Sequence, residues 1–184
     1  MDIKSQFSNH AASYGEYNFI QRSVIKKLLA NTGSRPRSIL DLGCGTGSLY
    51  DSINWPIDNF IAVDFSKEML SLHPHENGVK CIAGDFNDYT LFDSLGQYDF
   101  DHIFSASSLQ WATNLDVTFK QIKNLNTPVS LAIFTANTFK TLFATANIPP
   151  ILRTADEVSN LASQYFDANF ETVHYTLSFD SSHE

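Results

Sequence analysis

The sequence predicts an α/β fold, with a doubly wound, mostly parallel sheet and helices on both faces. Three observations carry this. Ile39, Leu40 and Leu42 form a short apolar run, glycines follow at 43, 45 and 47, and Leu49, Tyr50 and Ile53 then recur at roughly helical spacing. A strand, a tight glycine turn and a helix is the layout that brings backbone N–H groups close to a ligand. Strand-like and helix-like segments then alternate along the chain, which favours parallel pairing. Finally, three of these strands run into an acid, Asp41, Asp64 and Asp85. Ligands in such sheets bind at the carboxyl ends of the strands.

The elements follow in order. Ser5–Ser13 reads as a short helix. Tyr17–Ala30 reads as a stronger one, with an apolar stripe of Ile20, Val24, Ile25, Leu28 and Leu29 that Gly33 and Pro36 terminate. A second strand spans Phe60 to Val63, and Ser66 caps a helix carrying Met69, Leu70 and Leu72. Val79–Ala83 is the third strand, about Asp99 to Ser105 the fourth, and Pro128–Thr135 the fifth, with a helix from Asn114 to Leu125 between the last two. Residues 154–166 place Val158, Leu161 and Ala162 on one helical face. From Glu171 to Phe179, Val173, Tyr175, Leu177 and Phe179 alternate with polar residues, as in a half-exposed strand.

With 184 residues, 43% of them hydrophobic and 17% charged, the chain is long and apolar enough for one ordinary globular core. The net charge of −8 argues against non-specific nucleic-acid binding. No apolar run approaches the roughly 20 residues that span a bilayer. The first residues lack the apolar core of a secretory signal, so a cytoplasmic protein is expected. Cys44 and Cys81 are the only cysteines and are expected as buried free thiols. No Cys/His spacing suggests zinc or another metal, and His10, His73, His75 and His102 share no spacing that makes a site. Residues 1–37 carry a net +4 and the remainder −12, which is a solvated basic face or a dock for an acidic partner.

The turn discriminates between ligands. A dinucleotide fingerprint needs glycine at its first, third and sixth positions, and counting from Gly43 the sixth is Ser48. Asp41 stands where a pyrophosphate would otherwise come, and two negative groups repel in a partly dry cleft. A cationic ligand without phosphate removes the conflict, which favours S-adenosylmethionine over a nicotinamide dinucleotide. Asp64 lies 23 residues beyond Asp41, near the spacing of a ribose-binding acid. Asp85 can accept from an adenine amino group, with Phe86 packing on the ring or joining the core.

These residues resemble the class I S-adenosylmethionine-dependent methyltransferases. Within that group the chain is most similar to the malonyl-acyl-carrier-protein O-methyltransferases of biotin synthesis. The likeness runs from Phe7-Ser8 through Ala11-Ala12-Ser13-Tyr14 and Ile20-Gln21-Arg22 to Leu40–Gly47, Asp64-Phe65-Ser66, Ala83-Gly84-Asp85, Phe104-Ser105, Leu109-Gln110-Trp111 and Leu177–Ser181. It implies one domain over 1–184, with a helical lid in 1–34 and a C-terminally short Rossmann-like core in 35–184. It implies that Asp41, Gly43, Gly45 and Gly47 hold the methionine end of S-adenosyl-L-methionine and Asp64 the ribose. Asp85 would hold the adenine, with Phe65, Phe86 and Ser105 also at the cofactor. Tyr14 would cover the methyl group and, with Trp111, serve catalysis, while Tyr17, Gln110 and Arg153 would meet the substrate. S-adenosyl-L-homocysteine would be the product, and an acyl carrier protein or coenzyme A thioester would carry the acceptor.

The alternatives are a methyltransferase for another small acid or ring, and a non-catalytic S-adenosylmethionine-binding module. There are two departures from the family. The family usually continues beyond the Phe179 region to a last antiparallel strand, so six strands, an unfilled slot and a monomer or weak dimer are expected. Asn126-Thr127-Pro128 replaces the usual Pro-Gly turn.

Overall fold

In the computed structural model, which describes residues 19–138 and 140–176, a five-stranded, all-parallel sheet forms the centre. The strands are β1 (Ser38–Leu42), β2 (Asn59–Asp64), β3 (Val79–Ala83), β4 (His102–Ala106) and β5 (Val129–Ala132). Their spatial order is β3-β2-β1-β4-β5. The chain therefore winds outward from β1 through β2 to β3, then returns to β1's other side as β4. Strand order reverses between β1 and β4, and a crevice opens at their carboxyl ends. The register sets Asp41 beside Ala62 on one flank and Phe104 on the other.

Alternation along the strands divides the core into two layers. Leu40, Leu42, Ile61, Val63 and Ile103 pack with α4 (Thr90–Leu95), α5 (Leu115–Asn124) and α7 (Ala155–Ala162). Ile39, Phe60, Ala62 and Phe104 pack with α1 (Phe19–Asn31), α2 (Ser48–Ser52) and α3 (Lys67–Leu72) on the opposite face. A further helix, α6 (Lys140–Ala146), follows β5 and buries no side chain. Side-chain caps start three of the described helices, Ser66 among them as expected. Ser66 accepts from Met69 N–H, Asn114 from Val117 N–H, and Thr154 makes a reciprocal capping box with Glu157.

The replaced Pro-Gly turn works by a different residue. Asn126 adopts φ +50 and its N–H bonds the Lys123 carbonyl, so it takes the left-handed position that ends α5. Asparagine is the residue after glycine that tolerates this conformation best.

The expected strand at 171–179 needs correction. Residues 171–176 form none, and Val173 and Tyr175 are 38% and 39% exposed, so their alternation has no sheet to pack on. The rest of that segment, the helix at 5–13, and Tyr14 and Tyr17 lie outside the described residues. Cys44 is buried, Cys81 half-buried, and both are free thiols.

Candidate active site

The carboxyl ends of β1, β2 and β4 converge on Asp41. The residue is 1% exposed and neither carboxylate oxygen has a hydrogen-bond partner among the described residues. Burial, reinforced by the Asp64 charge, pushes its pKa up to about 8. Burial also raises Asp64, but there the backbone N–H groups pull back. Asp64 Oδ2 accepts from Gly45 N–H at 3.0 Å and Oδ1 from Ser66 N–H at 2.9 Å. Asp64 thus ties the glycine turn to the start of α3.

The turn itself is fixed by β2 and by neighbours on either side. Gly43 and Cys44 N–H both donate to the Val63 carbonyl, at 2.8 and 3.0 Å. A Cβ on Gly43 would strike the Ser108 side chain, and one on Gly47, at φ +96, would come within 2.6 Å of Pro74 Cδ. Gly45, in contrast, faces open space, with no heavy atom within 4 Å of a Cβ there. A bare backbone bordering an opening is what a closely approaching ligand needs.

β4 continues into a tight polar turn. Ser105 Oγ and Ser108 Oγ each donate to the Leu42 carbonyl at 2.8 Å and contact each other at 2.7 Å. Ser105 is therefore committed to holding β4 against β1. Ser107 adopts φ +64, a left-handed conformation uncommon for serine, and its Oγ is buried without a partner among the described residues. Gln110, 8% exposed, donates Nε2 to the Ser107 carbonyl at 2.7 Å and leaves Oε1 unpartnered. Trp111 follows, half-buried against the α4/α5 layer. Arg153 Nη2 donates to the Ala112 carbonyl at 3.0 Å, so this distant arginine stands next to the Gln110–Trp111 turn.

At the end of β3, Asp85 Oδ1 accepts from both Asn87 N–H and Asn87 Nδ2, and Asn87 Oδ1 accepts from Thr113 N–H and Oγ1. That relay joins the β3 end to the segment after β4. Phe86 is 7% exposed within the core, while Phe65 is half-buried beside Asp64. Sequence reasoning missed Ser107, Ser108 and His73, whose ring backs Gly47. Of the basic residues in 19–37, Lys27 pairs with Glu171 and Arg37 with Asp58, each at 2.6 Å.

Solved structures share this architecture. A chain of the complex between the Haloferax volcanii Trm112 methyltransferase activator and a methyltransferase superposes with TM-score 0.69 at 18% identity, covering 86% of this chain and 75% of that one. A DhpI–SAM–HEP complex gives TM-score 0.60 at 15% identity over 87% and 85% of the two chains. The likeness to these solved structures is one of fold, and residues 39–128 of this chain match the family model described as a methyltransferase domain. In sequence it is similar to the malonyl-[acyl-carrier protein] O-methyltransferase of Priestia megaterium, 30% identical over 141 residues, covering 72% of this chain and 50% of that protein. The protein of the same name from Geobacter sulfurreducens is 29% identical over 154 residues, covering 77% and 56%. The chain spans about half the length of the curated relatives it matches. No helix among the described residues is long and apolar enough to cross a membrane.

Proposed function

We propose that this chain binds S-adenosyl-L-methionine at the carboxyl ends of β1, β2 and β3 and serves methyl transfer to a carboxylate, the acceptor being malonyl-acyl-carrier protein in the biotin pathway. The observation that carries this is Asp41. A buried carboxylate with both oxygens unpartnered is costly when ionised, and it becomes favourable only when a cation arrives. The donor's ammonium supplies that charge, whereas a dinucleotide would bring more negative charge to the same spot.

The other residues suit the remaining parts of that ligand. Gly45 borders the open approach, and Asp64, held by backbone N–H groups that include those of Gly45 and Ser66, would turn its remaining lone pairs to the ribose hydroxyls. Asp85, fixed by Asn87, would accept the adenine amino group. When bound, the donor supplies an electrophilic methyl group on a sulfonium. A malonyl carboxylate is ionised near pH 7, so the chain needs no general base for it. The residues' work is to align the acceptor and exclude water. Gln110, Trp111 and Arg153 are grouped where they could hold the acceptor, with Tyr14 and Tyr17 of the proposed lid closing over it. The setting is the cytoplasm, with S-adenosyl-L-homocysteine as the product.

Calorimetry with S-adenosyl-L-homocysteine and transfer of a labelled methyl group to malonyl carrier protein, malonyl-coenzyme A and free malonate test this reading. Binding followed by labelling of the carrier-bound acid is expected. Binding without transfer to any acceptor would reduce the chain to a donor-binding module, and no binding would end the proposal.

A further inference from the structure

We propose a second ligand site, for a small organic anion bearing a flat ring, in the groove between the end of α1 and the loop before β2. The groove is open to solvent and has a volume of about 620 Å³, within the range of small-molecule sites. Its lining includes Lys26, Leu29, Ser34, Arg35, Asn54 and Trp55, and among the described residues no acid. That is notable in a chain with 20 acidic residues and a net charge of −8, because it concentrates positive potential in one concave place. The neighbouring cations Lys27 and Arg37 are occupied by Glu171 and Asp58, whereas Lys26 and Arg35 form no ion pair among the described residues. The negative end of α1 opposes an anion with about half a charge, which two full positive charges outweigh.

The flat ring follows from Trp55. Its Nε1–H donates to the Pro36 carbonyl at 2.8 Å, which satisfies the indole's polar edge and fixes the ring's orientation. An oriented indole offers a stacking face at little entropic cost. Ser34 and Asn54 add hydrogen-bonding groups at the rim. The groove also lies away from the donor turn. Ser34, Arg35, Asn54 and Trp55 precede β1 and β2, at the amino ends of the strands, and β1 is five residues long. At 3.3 Å per residue about 17 Å of sheet therefore separates the groove from the carboxyl end where Asp41 stands.

Uridine 5′-monophosphate, which joins a flat ring to a phosphate, is the probe. Trp55 and Trp111 are the only tryptophans, so each indole N–H gives its own resonance in a nitrogen–proton NMR spectrum. Titration is expected to move the Trp55 resonance saturably and leave Trp111 in place. Uridine alone and inorganic phosphate alone should bind more weakly. The K26E/R35E double variant should lose about tenfold or more in affinity while the rest of its amide spectrum is preserved. An unmoved Trp55 resonance, equal binding by the variant, or equal binding of inorganic phosphate would overturn the proposal. So would a Trp55 shift caused by purified acyl carrier protein and not by the nucleotide, which would make the groove a protein dock. The readout sits at Trp55, so it stands or falls independently of donor binding.

Discussion

Phe104 on β4 and Leu131 on β5 lie one strand apart, since Ser105 pairs with Leu131, yet their surroundings differ sharply. Phe104 is wholly buried, as are Ile39, Leu40 and Leu42 on β1 and Phe60 on β2. Leu131 is half-buried, like every residue of β5, and β5, opposite β3, is one of the two edges of the sheet. Beyond it, Leu142, Ile148, Ile151, Phe170, Val173 and Tyr175 make up most of the exposed large hydrophobics among the described residues. The difference follows the chemistry. In the proposed reading the donor edge must hold Asp41 as an unpartnered carboxylate in a dry place, a demand that the doubly covered strands β1 and β2 meet. On the same reading the acceptor edge, toward β5, selects among substrates and draws less of its shape from the sheet.

The largest expected effect tests that contrast directly. Phe104→Ala removes a fully buried ring from the middle of the sheet and should cost about 3–5 kcal/mol of unfolding free energy. Leu131→Ala, starting half-exposed, should cost about half that or less. Urea unfolding of the two variants measures both. Equal losses would mean that the β5 edge is as firmly built as the centre, and the contrast would fail.

Asp41 gives the next effect. Its pKa in the folded chain, about 8, lies far above the ordinary 3.8, so the folded state holds a proton that the unfolded state releases. That contribution is fully present below about pH 4, and the stability of the unliganded chain falls as pH rises toward 8. Binding of a cationic ligand runs the other way, because it favours the ionised form. Affinity for S-adenosyl-L-homocysteine, which keeps the ammonium, should rise by up to tenfold per pH unit and level off near pH 8, about fiftyfold from pH 6 to 8. Asp41→Asn should flatten both profiles. Calorimetry in buffers of differing ionisation enthalpy would register the released proton, and its absence would detach Asp41 from the ligand.

How far each edge can be read from sequence divides along the same line. The turn from Asp41 to Gly47, Asp64 at the end of β2 and the Ser66 cap are local patterns whose meaning survives without neighbours. The same holds for the central strands, whose apolar runs need only a core. Ser108 could not be read as the partner of Gly43, because 65 residues separate them and only the β1–β4 pairing brings them together. Ser107 at φ +64 carries no local signal, since serine there is strained rather than preferred. α4 starts without a side-chain cap and α6 buries no side chain, so neither is marked in the sequence as α2 is by the glycine turn or α3 by Ser66. At 171–176 alternation was a faithful sign of amphipathic sequence, but a strand also needs an edge to join, and that depends on the rest of the fold.

Arg153 offers the smallest effect and the sharpest separation of the two edges. Sequence places it before a helix with nothing to distinguish it from a surface arginine. The structure sets its guanidinium on the Ala112 carbonyl, adjacent to the Gln110–Trp111 turn, while Ala136 N–H bonds its own carbonyl. One hydrogen bond to a backbone carbonyl contributes about 1 kcal/mol or somewhat more with a charged donor, so Arg153→Met should lower stability only that far. If the guanidinium also holds the acceptor's carboxylate, the variant's KM for that acceptor should rise about tenfold, while S-adenosyl-L-homocysteine affinity stays level. Arg153→Lys should restore the charge without the planar fork and recover only part of the loss. A fall in donor affinity matching the rise in KM would show that the edges are coupled through the Ser107–Ala112 turn. An unchanged KM would leave Arg153 as a brace for that turn, with the acceptor held by other residues.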